Sequence, residues 1–179
     1  MESALKTKWI IDPMHSEVHF KVKHLVISTV TGTFNSFSGS MDSENEDFRG
    51  ASIEFALDVN SIDTNQGQRD AHLKSADFFD AEQFPKISFK STSFTKVGDD
   101  YQLLGDLTVK NVSKPVKLNV EFGGRATDFY GNDKAGFEVS GQISRKEFGL
   151  TWDGITEAGA IVVGDEIKLQ INVQFAKQV

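Results

Sequence analysis

Side chains that could do chemistry are concentrated in one stretch of the chain, residues 64–91. It contains Arg69 and His72, which lie three residues apart and would share one helix face with Leu73 and Phe79. A cation and an imidazole beside an apolar surface can recognise the polar head group of a lipid. The same two residues can also form a hydrogen-bond cluster that anchors the helix. The sequence leaves both interpretations open.

Arg145 and Trp152 are the next candidates along the chain. Arg145 continues the alternation that runs through Phe137 and Ile143, so its side chain is expected to face inward. An unpaired buried charge is very costly, and this guanidinium therefore needs an acceptor, either a ligand oxygen or a group of the protein. Trp152 lies in the glycine-rich segment 149–164 and is expected either to form part of a binding-site wall or to anchor the core.

His24 is the inward candidate among the histidines. It keeps the phase of Val18, Phe20 and Val22, the apolar positions of the most regular alternating segment. A hydrogen-bonded core histidine and a ligand contact are both compatible with that phase.

Catalytic and metal chemistry have little support in the sequence. The chain has no cysteine, which excludes a thiolate zinc site and a cysteine nucleophile. It has no G-x-S-x-G turn and no glycine-rich phosphate loop. His15 and His19 would stand roughly 13 Å apart on a strand, too far to share a metal ion. We therefore predict no catalytic residues, no metal site and no enzymatic activity.

The charge balance limits the classes of partner. The formal net charge is −7 and no basic run is present. This argues against nucleic acid, whose binding depends on neutralising phosphates, and against tight docking on an anionic membrane. No apolar run approaches the roughly 18 residues of a membrane span, and none near the N-terminus resembles a signal peptide. We expect a cytoplasmic protein, or a periplasmic one if a leader has been removed.

Period-two alternation dominates the chain outside residues 64–91. It predicts about eight strands, near residues 17–23, 29–37, 53–59, 87–89, 101–109, 116–122, 137–143 and 167–175. A bend is expected at Gly32, and Asn65 with Gln68 has the spacing of a helix-capping box. With one short helix available for crossovers, the sheet must be antiparallel. One-sided alternation in so many strands is typical of a closed barrel or a two-sheet sandwich.

A set of short motifs in fixed order resembles the YceI-like family, described as lipid- or polyisoprenoid-binding proteins. The motifs are Trp9, Asp12-Pro13, His15-Ser16, Val18, Phe20, His24, Gly32, Phe34, Asp63-Thr64, Arg69-Asp70, His72-Leu73, Asp77-Phe78-Phe79, Pro85, Phe89-Lys90-Ser91, Gly105-Asp106-Leu107-Thr108, Arg145 and Phe148-Gly149. The resemblance implies an all-β bacterial protein with a single antiparallel eight-stranded lipocalin-like barrel and one short helix inserted between strands. The barrel would occupy residues 9–178, after a tail of residues 1–8.

The resemblance also implies a hydrophobic tunnel that holds a long prenyl or acyl chain, with no other cofactor. An isoprenoid quinone or a polyprenyl chain would be a suitable ligand, bound for carriage, storage or sensing. The ligand-binding residues are expected to be Val18, Phe20, Val22, His24, Phe34, Phe37, Ile53, Phe55, Leu57, Arg69, His72, Leu73, Phe79, Phe89, Arg145 and Trp152.

Two other functions stay open at this stage. One is an enzyme that acts on a small hydrophobic substrate, and the other is a stress-response protein whose barrel is filled by its fifteen Phe residues and holds no ligand. An exposed strand edge near Pro13 would also be compatible with a homodimer.

Overall fold

The computed structural model describes residues 6–25, 27–152 and 163–178. They form one α-helix, α1 at Gly67–Lys74, and short 3-10 helices at Pro13–His15, Val59–Ser61 and Arg145–Phe148. The strands are β1 Thr7–Ile11, β2 Glu17–His24, β3 Ser28–Phe34, β4 Phe37–Ser43, β5 Ser52–Asp58, β6 Ile62–Asp63, β7 Lys86–Val97, β8 Asp100–Val109, β9 Val112–Thr127, β10 Asp133–Ser144 and β11 Val163–Lys177.

Eight of these strands close into a ring. The order is β1-β4-β5-β7-β8-β9-β10-β11, every pairing is antiparallel, and β1 pairs again with β11. This confirms the predicted antiparallel eight-stranded barrel. The first strand begins at Thr7, inside the segment predicted as a tail, because Thr7 pairs with Ser43 of β4.

Strands β1 and β2 lie one after the other along the same edge of β11. β1 pairs with the end of β11 around Ala176, and β2 pairs with the preceding part of the same strand. Between them Pro13 has no N–H to donate, and the Asp12 side chain accepts a hydrogen bond from the Met14 N–H at 3.1 Å. The sheet then continues from β2 to β3 and β6.

The predicted strand at residues 29–37 is two strands, and the predicted bend at Gly32 is wrong. Gly32 lies within the ladder opposite Phe20, and the chain leaves the ladder at residues 35–36 instead. There the Asn35 N–H donates to the Ser61 carbonyl and the Ser36 carbonyl accepts from the Asp58 N–H. These bonds to a distant segment replace the continuing ladder, and no local pattern encodes them.

The helix is also shorter than its apolar spacing predicts. α1 begins after Gln66, which makes no side-chain cap, so the predicted capping box does not form. The Ser75 hydroxyl donates to the His72 carbonyl at 2.5 Å, and Ser75 itself is extended. The helix therefore ends at Lys74, and the following residues are held by turns, with the Phe79 N–H donating to the Leu73 carbonyl.

One end of the barrel is filled by aromatic side chains. Phe48, from the turn between β4 and β5, packs edge-on against Trp9 with ring centroids 5.2 Å apart and against Phe137 at 5.5 Å. Trp9 and Phe48 are almost fully buried, and the Arg125 guanidinium lies 5.1 Å from the Trp9 ring centroid. A second buried cluster around Phe34, Phe78 and Phe148 forms the other end of the core.

Arg145 holds together the chain on either side of residues 153–162. Its Nη1 donates to the carbonyls of Leu150 at 2.6 Å and Trp152 at 2.8 Å. Its Nη2 donates to Val163 at 3.0 Å and its Nε to Gly164 at 2.7 Å. The side chain is 2% exposed, so these bonds replace its hydration. The sequence allowed two kinds of acceptor for this guanidinium, a ligand oxygen or a group of the protein. The structure shows groups of the protein.

A charged pair links the break between β1 and β2 to the start of β10. Lys134 Nζ lies 2.7 Å from Asp12 Oδ2, and both side chains are largely buried. The hydrogen bond from Lys134, followed by the one with His15, lowers the pKa of Asp12 from its ordinary 3.8 to about 2.

Replacing Lys134 by Met should destabilise the protein at pH 7 by about 1–2 kcal/mol. Because the pKa of Asp12 is lowered on folding, this stabilisation is present above pH 4 and disappears as the pH falls towards 2. Urea unfolding at several pH values measures both effects. Lys86→Met removes a more exposed pair with Asp58 and should change stability much less. If the Lys134 variant lost as much stability at pH 2 as at pH 7, the stabilisation could not come from the pair with Asp12.

Replacing Arg145 by Met should leave buried carbonyls without donors. At roughly 1–3 kcal/mol for each unsatisfied group, we expect a loss of about 3–5 kcal/mol in the free energy of unfolding. The urea midpoint measures it, with Arg49→Met as the matched control because the Arg49 side chain is 64% exposed. Equal midpoints for the Arg145 variant and the wild type would show that the four bonds do not hold this end of the barrel.

Candidate functional site

The interior of the barrel contains an apolar cavity of about 210 Å³. Its wall includes side chains from strands all around the ring and from the segment that follows α1. The described wall residues are apolar except for His19, Glu54 and Arg145. The cavity can therefore hold a hydrocarbon group and offers little to a polar one.

Most of the sequence-predicted ligand residues lie in this wall. They are Val18, Phe20, Val22, Phe34, Ile53, Phe55, Leu57, Leu73, Phe79, Phe89 and Arg145. The strands place them there because alternate residues of a strand face the same side of the sheet. The helix segment adds Leu73 and Phe79, with the Phe79 ring edge-on to Phe34 at 6.1 Å.

Arg69 lies outside the cavity wall, in a hydrogen-bond cluster at the start of α1. Its Nε donates to the Thr64 hydroxyl oxygen at 2.8 Å and its Nη2 to the Thr64 carbonyl at 2.7 Å. The Thr64 N–H and hydroxyl in turn donate to Asp70 Oδ1, at 2.9 and 2.5 Å. Thr64 is buried, so the cluster fixes the entry of the chain into the helix. These contacts correspond to the anchoring interpretation of Arg69.

His72 also lies outside the wall and contacts Trp152. Its Nε2 lies 2.9 Å from Asp77 Oδ2, and its ring is edge-on to Trp152 at 4.7 Å and to Phe78 at 5.1 Å. The rings of Phe78 and Trp152 are 5.2 Å apart. Trp152 therefore packs behind the wall residue Phe78 and joins the segment after β10 to the segment after α1.

His24 and Phe37 are the remaining predicted residues outside the wall. His24 ends β2, is half-buried, and pairs with Val163 and Ser28 through the backbone. Phe37 stacks on Phe55, with ring centroids 6.1 Å apart and an interplanar angle of 23°. It supports the wall residue Phe55 from the neighbouring strand.

Several wall residues were missing from the sequence prediction. They include Met41, Leu103, Leu107, Leu118, Val139, Ile143, Leu169, Ile171 and Phe78. The alternation of β8–β11 marks most of them as inward, so the same period-two signal could have identified them. Phe78 gives no such signal, because it follows the end of α1 in a turn.

In the part of the chain that the structure describes, the polar groups around the cavity do not gather into a reactive centre. Asp165, near Arg145, accepts from the Ser144 hydroxyl at 2.7 Å, and this bond lowers the pKa of Asp165. Among the described residues, no three His, Asp or Glu side chains come close enough together to hold a metal ion. No helix in the described part of the chain is long and apolar enough to cross a membrane.

Comparison with known proteins places this geometry in a family. A model of the YceI-like domain matches residues 9–175. A UPF0312 protein of Pectobacterium atrosepticum is 38% identical over 153 residues, which cover 84% of this chain and 80% of that protein.

Solved structures share the barrel. The crystal structure of Burkholderia cenocepacia BcnA superposes with a TM-score of 0.78 at 21% identity, covering 92% of this chain and 98% of BcnA. A polyisoprenoid binding domain from Saccharophagus degradans gives a TM-score of 0.71 at 15% identity, covering 95% and 98% of the two chains. The sequence match over nearly the whole barrel shows that this chain belongs to the YceI-like domain family.

Proposed function

We propose that this protein binds a long-chain hydrophobic molecule, such as a polyisoprenoid, an isoprenoid quinone or an acyl lipid, inside its barrel without altering it chemically. The observation that carries the proposal is the cavity wall, which is apolar around the ring and is completed by Leu73, Phe78 and Phe79 from the α1 segment. The polyisoprenoid binding domain from Saccharophagus degradans supports it, because the two barrels share one fold.

The energetics favour such a ligand. Burying one CH₂ group gains about 0.8 kcal/mol, so a chain of ~20 carbons gains up to ~16 kcal/mol. Association costs about 4–15 kcal/mol, with further losses for ordering the chain. Affinities from micromolar to nanomolar follow without any strong polar contact, and one methylene more or less changes them modestly.

The two alternative functions have less support. A barrel filled by its own side chains would leave no internal space, whereas this one contains about 210 Å³. An enzyme needs polar groups that converge on a substrate in the cavity. Of the three polar wall residues, Arg145 is held by four backbone carbonyls. His19 Nε2 lies 2.9 Å from Glu17 Oε2, and Glu54 is an exposed residue with 68% of its side chain accessible.

Native mass spectrometry of gently purified protein, followed by organic extraction, tests the proposal. We expect a bound species of a few hundred daltons that is released on denaturation and proves to be a prenyl or acyl lipid. A delipidated protein that also fails to take up a long-chain quinone or a fatty amide would contradict the proposal. A chemically altered product in the extract would favour an enzyme.

Replacing Phe55 by Glu should abolish lipid retention. The change places a carboxylate in the apolar wall, and an ionised group there would lose its hydration if a hydrocarbon chain covered it. Phe129→Glu is the matched control, because it makes the same change at a fully exposed turn residue. Lipid is measured in organic extracts of both purified variants, with circular dichroism to check folding. Wild-type lipid content in a folded Phe55→Glu protein would remove Phe55 from the site.

A further inference from the structure

Four glycines stand at inward-facing positions of the barrel wall. Gly32, Gly39, Gly105 and Gly141 keep the phase of cavity-lining residues in β3, β4, β8 and β10. In each case a large side chain from an adjacent strand lies over the glycine, where a Cβ atom would otherwise be. Such packing stabilises a glycine in a sheet and lets the large side chain lie flat against the wall.

Gly32 supports the ring of Phe20. The two residues face each other across β2 and β3, and a Cβ on Gly32 would lie 2.6 Å from Cε1 and 2.9 Å from Cε2 of that ring, overlapping Cζ as well. The three nearest atoms all belong to Phe20, and the ring lines the cavity. A methyl group at this position must therefore move the ring, and the free space lies on the cavity side.

Gly141 supports Leu118 in the same way. A Cβ on Gly141 would overlap Cδ2 of Leu118, while the next nearest atom, the Lys117 carbonyl oxygen, would be at an ordinary 3.5 Å. Leu118 also lines the cavity. As with Gly32, the atom that must move is the far end of a wall side chain.

These two glycines belong to one row of the sheet. Gly141 pairs with Leu169, Leu169 pairs with Phe20, and Phe20 pairs with Gly32. The glycines at the two ends of this row leave space in which the side chains of Phe20 and Leu118 lie against the sheet.

The other two glycines are less informative. A Cβ on Gly105 would lie 2.6 Å from the Lys90 carbonyl oxygen, and one on Gly39 would lie 3.1 Å from the Glu54 carbonyl oxygen. Substitution there would press on the backbone of a neighbouring strand as well as on a side chain.

We propose that Gly32 and Gly141 determine the cross-section of ligand that the cavity accepts, by keeping Phe20 and Leu118 flat against the wall. A methyl-branched chain needs more lateral room than a straight chain of the same length, so these glycines select in favour of branched chains. This inference rests on the proposed function and adds the two residues that set its specificity.

The test is a competition between two alcohols with the same sixteen-carbon main chain. Phytanol carries methyl branches, 1-hexadecanol carries none, and both chains are saturated. Delipidated protein is incubated with an equimolar mixture and freed of excess alcohol by gel filtration. The retained alcohols are then extracted and quantified by gas chromatography. The readout is the ratio of branched to straight alcohol retained.

Gly32→Ala and Gly141→Ala should each lower this ratio about tenfold relative to the wild type, the low end of what one misplaced carbon group costs in an apolar pocket. Gly136→Ala is the matched control, because Gly136 lies in the same strand as Gly141 and has open space where its Cβ would be. It should leave the ratio unchanged. Combining Gly32→Ala with Phe20→Leu should restore the ratio, since the displaced ring is then absent.

Folding is followed by circular dichroism, and Gly141→Ala carries the test if Gly32→Ala does not fold. Folded alanine variants that keep the wild-type ratio would overturn this inference while leaving the proposed function intact. A wild-type protein that retains neither alcohol would overturn the proposed function and this inference with it.

Discussion

Closure of the sheet is the constraint on which the rest of the structure depends. β1 contributes three residue pairs to β11, at Trp9, Ile10 and Ile11, and these pairs turn an open antiparallel sheet into a ring. In a ring of eight strands the inward side chains enclose a volume comparable to a small ligand. Without this seam, the pairing of β1 with β11, the same apolar face would be exposed along two open edges. The seam carries Trp9, which also packs into the aromatic end of the barrel.

The interior contains two buried clusters of side chains, and residues of both line the cavity. Around Phe48, aromatic rings fill the space between the strands, and Arg125 covers them from outside. Towards α1 a second cluster around Phe34, Phe78 and Phe148 is buried, and short polar clusters hold the connecting segments in place. Arg145 and Arg69 both belong to such clusters, and each donates to backbone carbonyls. Their charge thus stabilises the shape of the cavity from positions where the backbone supplies the acceptors.

The sequence predicts the barrel well because alternation is a local property. In β2 the phase of Val18, Phe20 and Val22 is visible in the sequence, and the structure places all three in the cavity wall. Hydrogen bonds that depend on how turns and loops fold are not visible in this way. The Thr64 cluster that binds Arg69 depends on the fold of a turn, and the break at residues 35–36 depends on bonds to residues 58–61. The sequence therefore left head-group recognition and helix anchoring both open for Arg69, and its bonds to Thr64 correspond to anchoring.

The placement of β11 has a consequence for biosynthesis. β11, at Val163–Lys177, pairs with β10, β1 and β2, so it joins strands from both ends of the chain. During translation β1, β2 and β10 emerge before β11, their common partner, so the barrel closes only after residues 163–177 leave the ribosome. The cavity therefore forms late in folding. A hydrophobic ligand would meet an open sheet before β11 is released and a closed barrel afterwards.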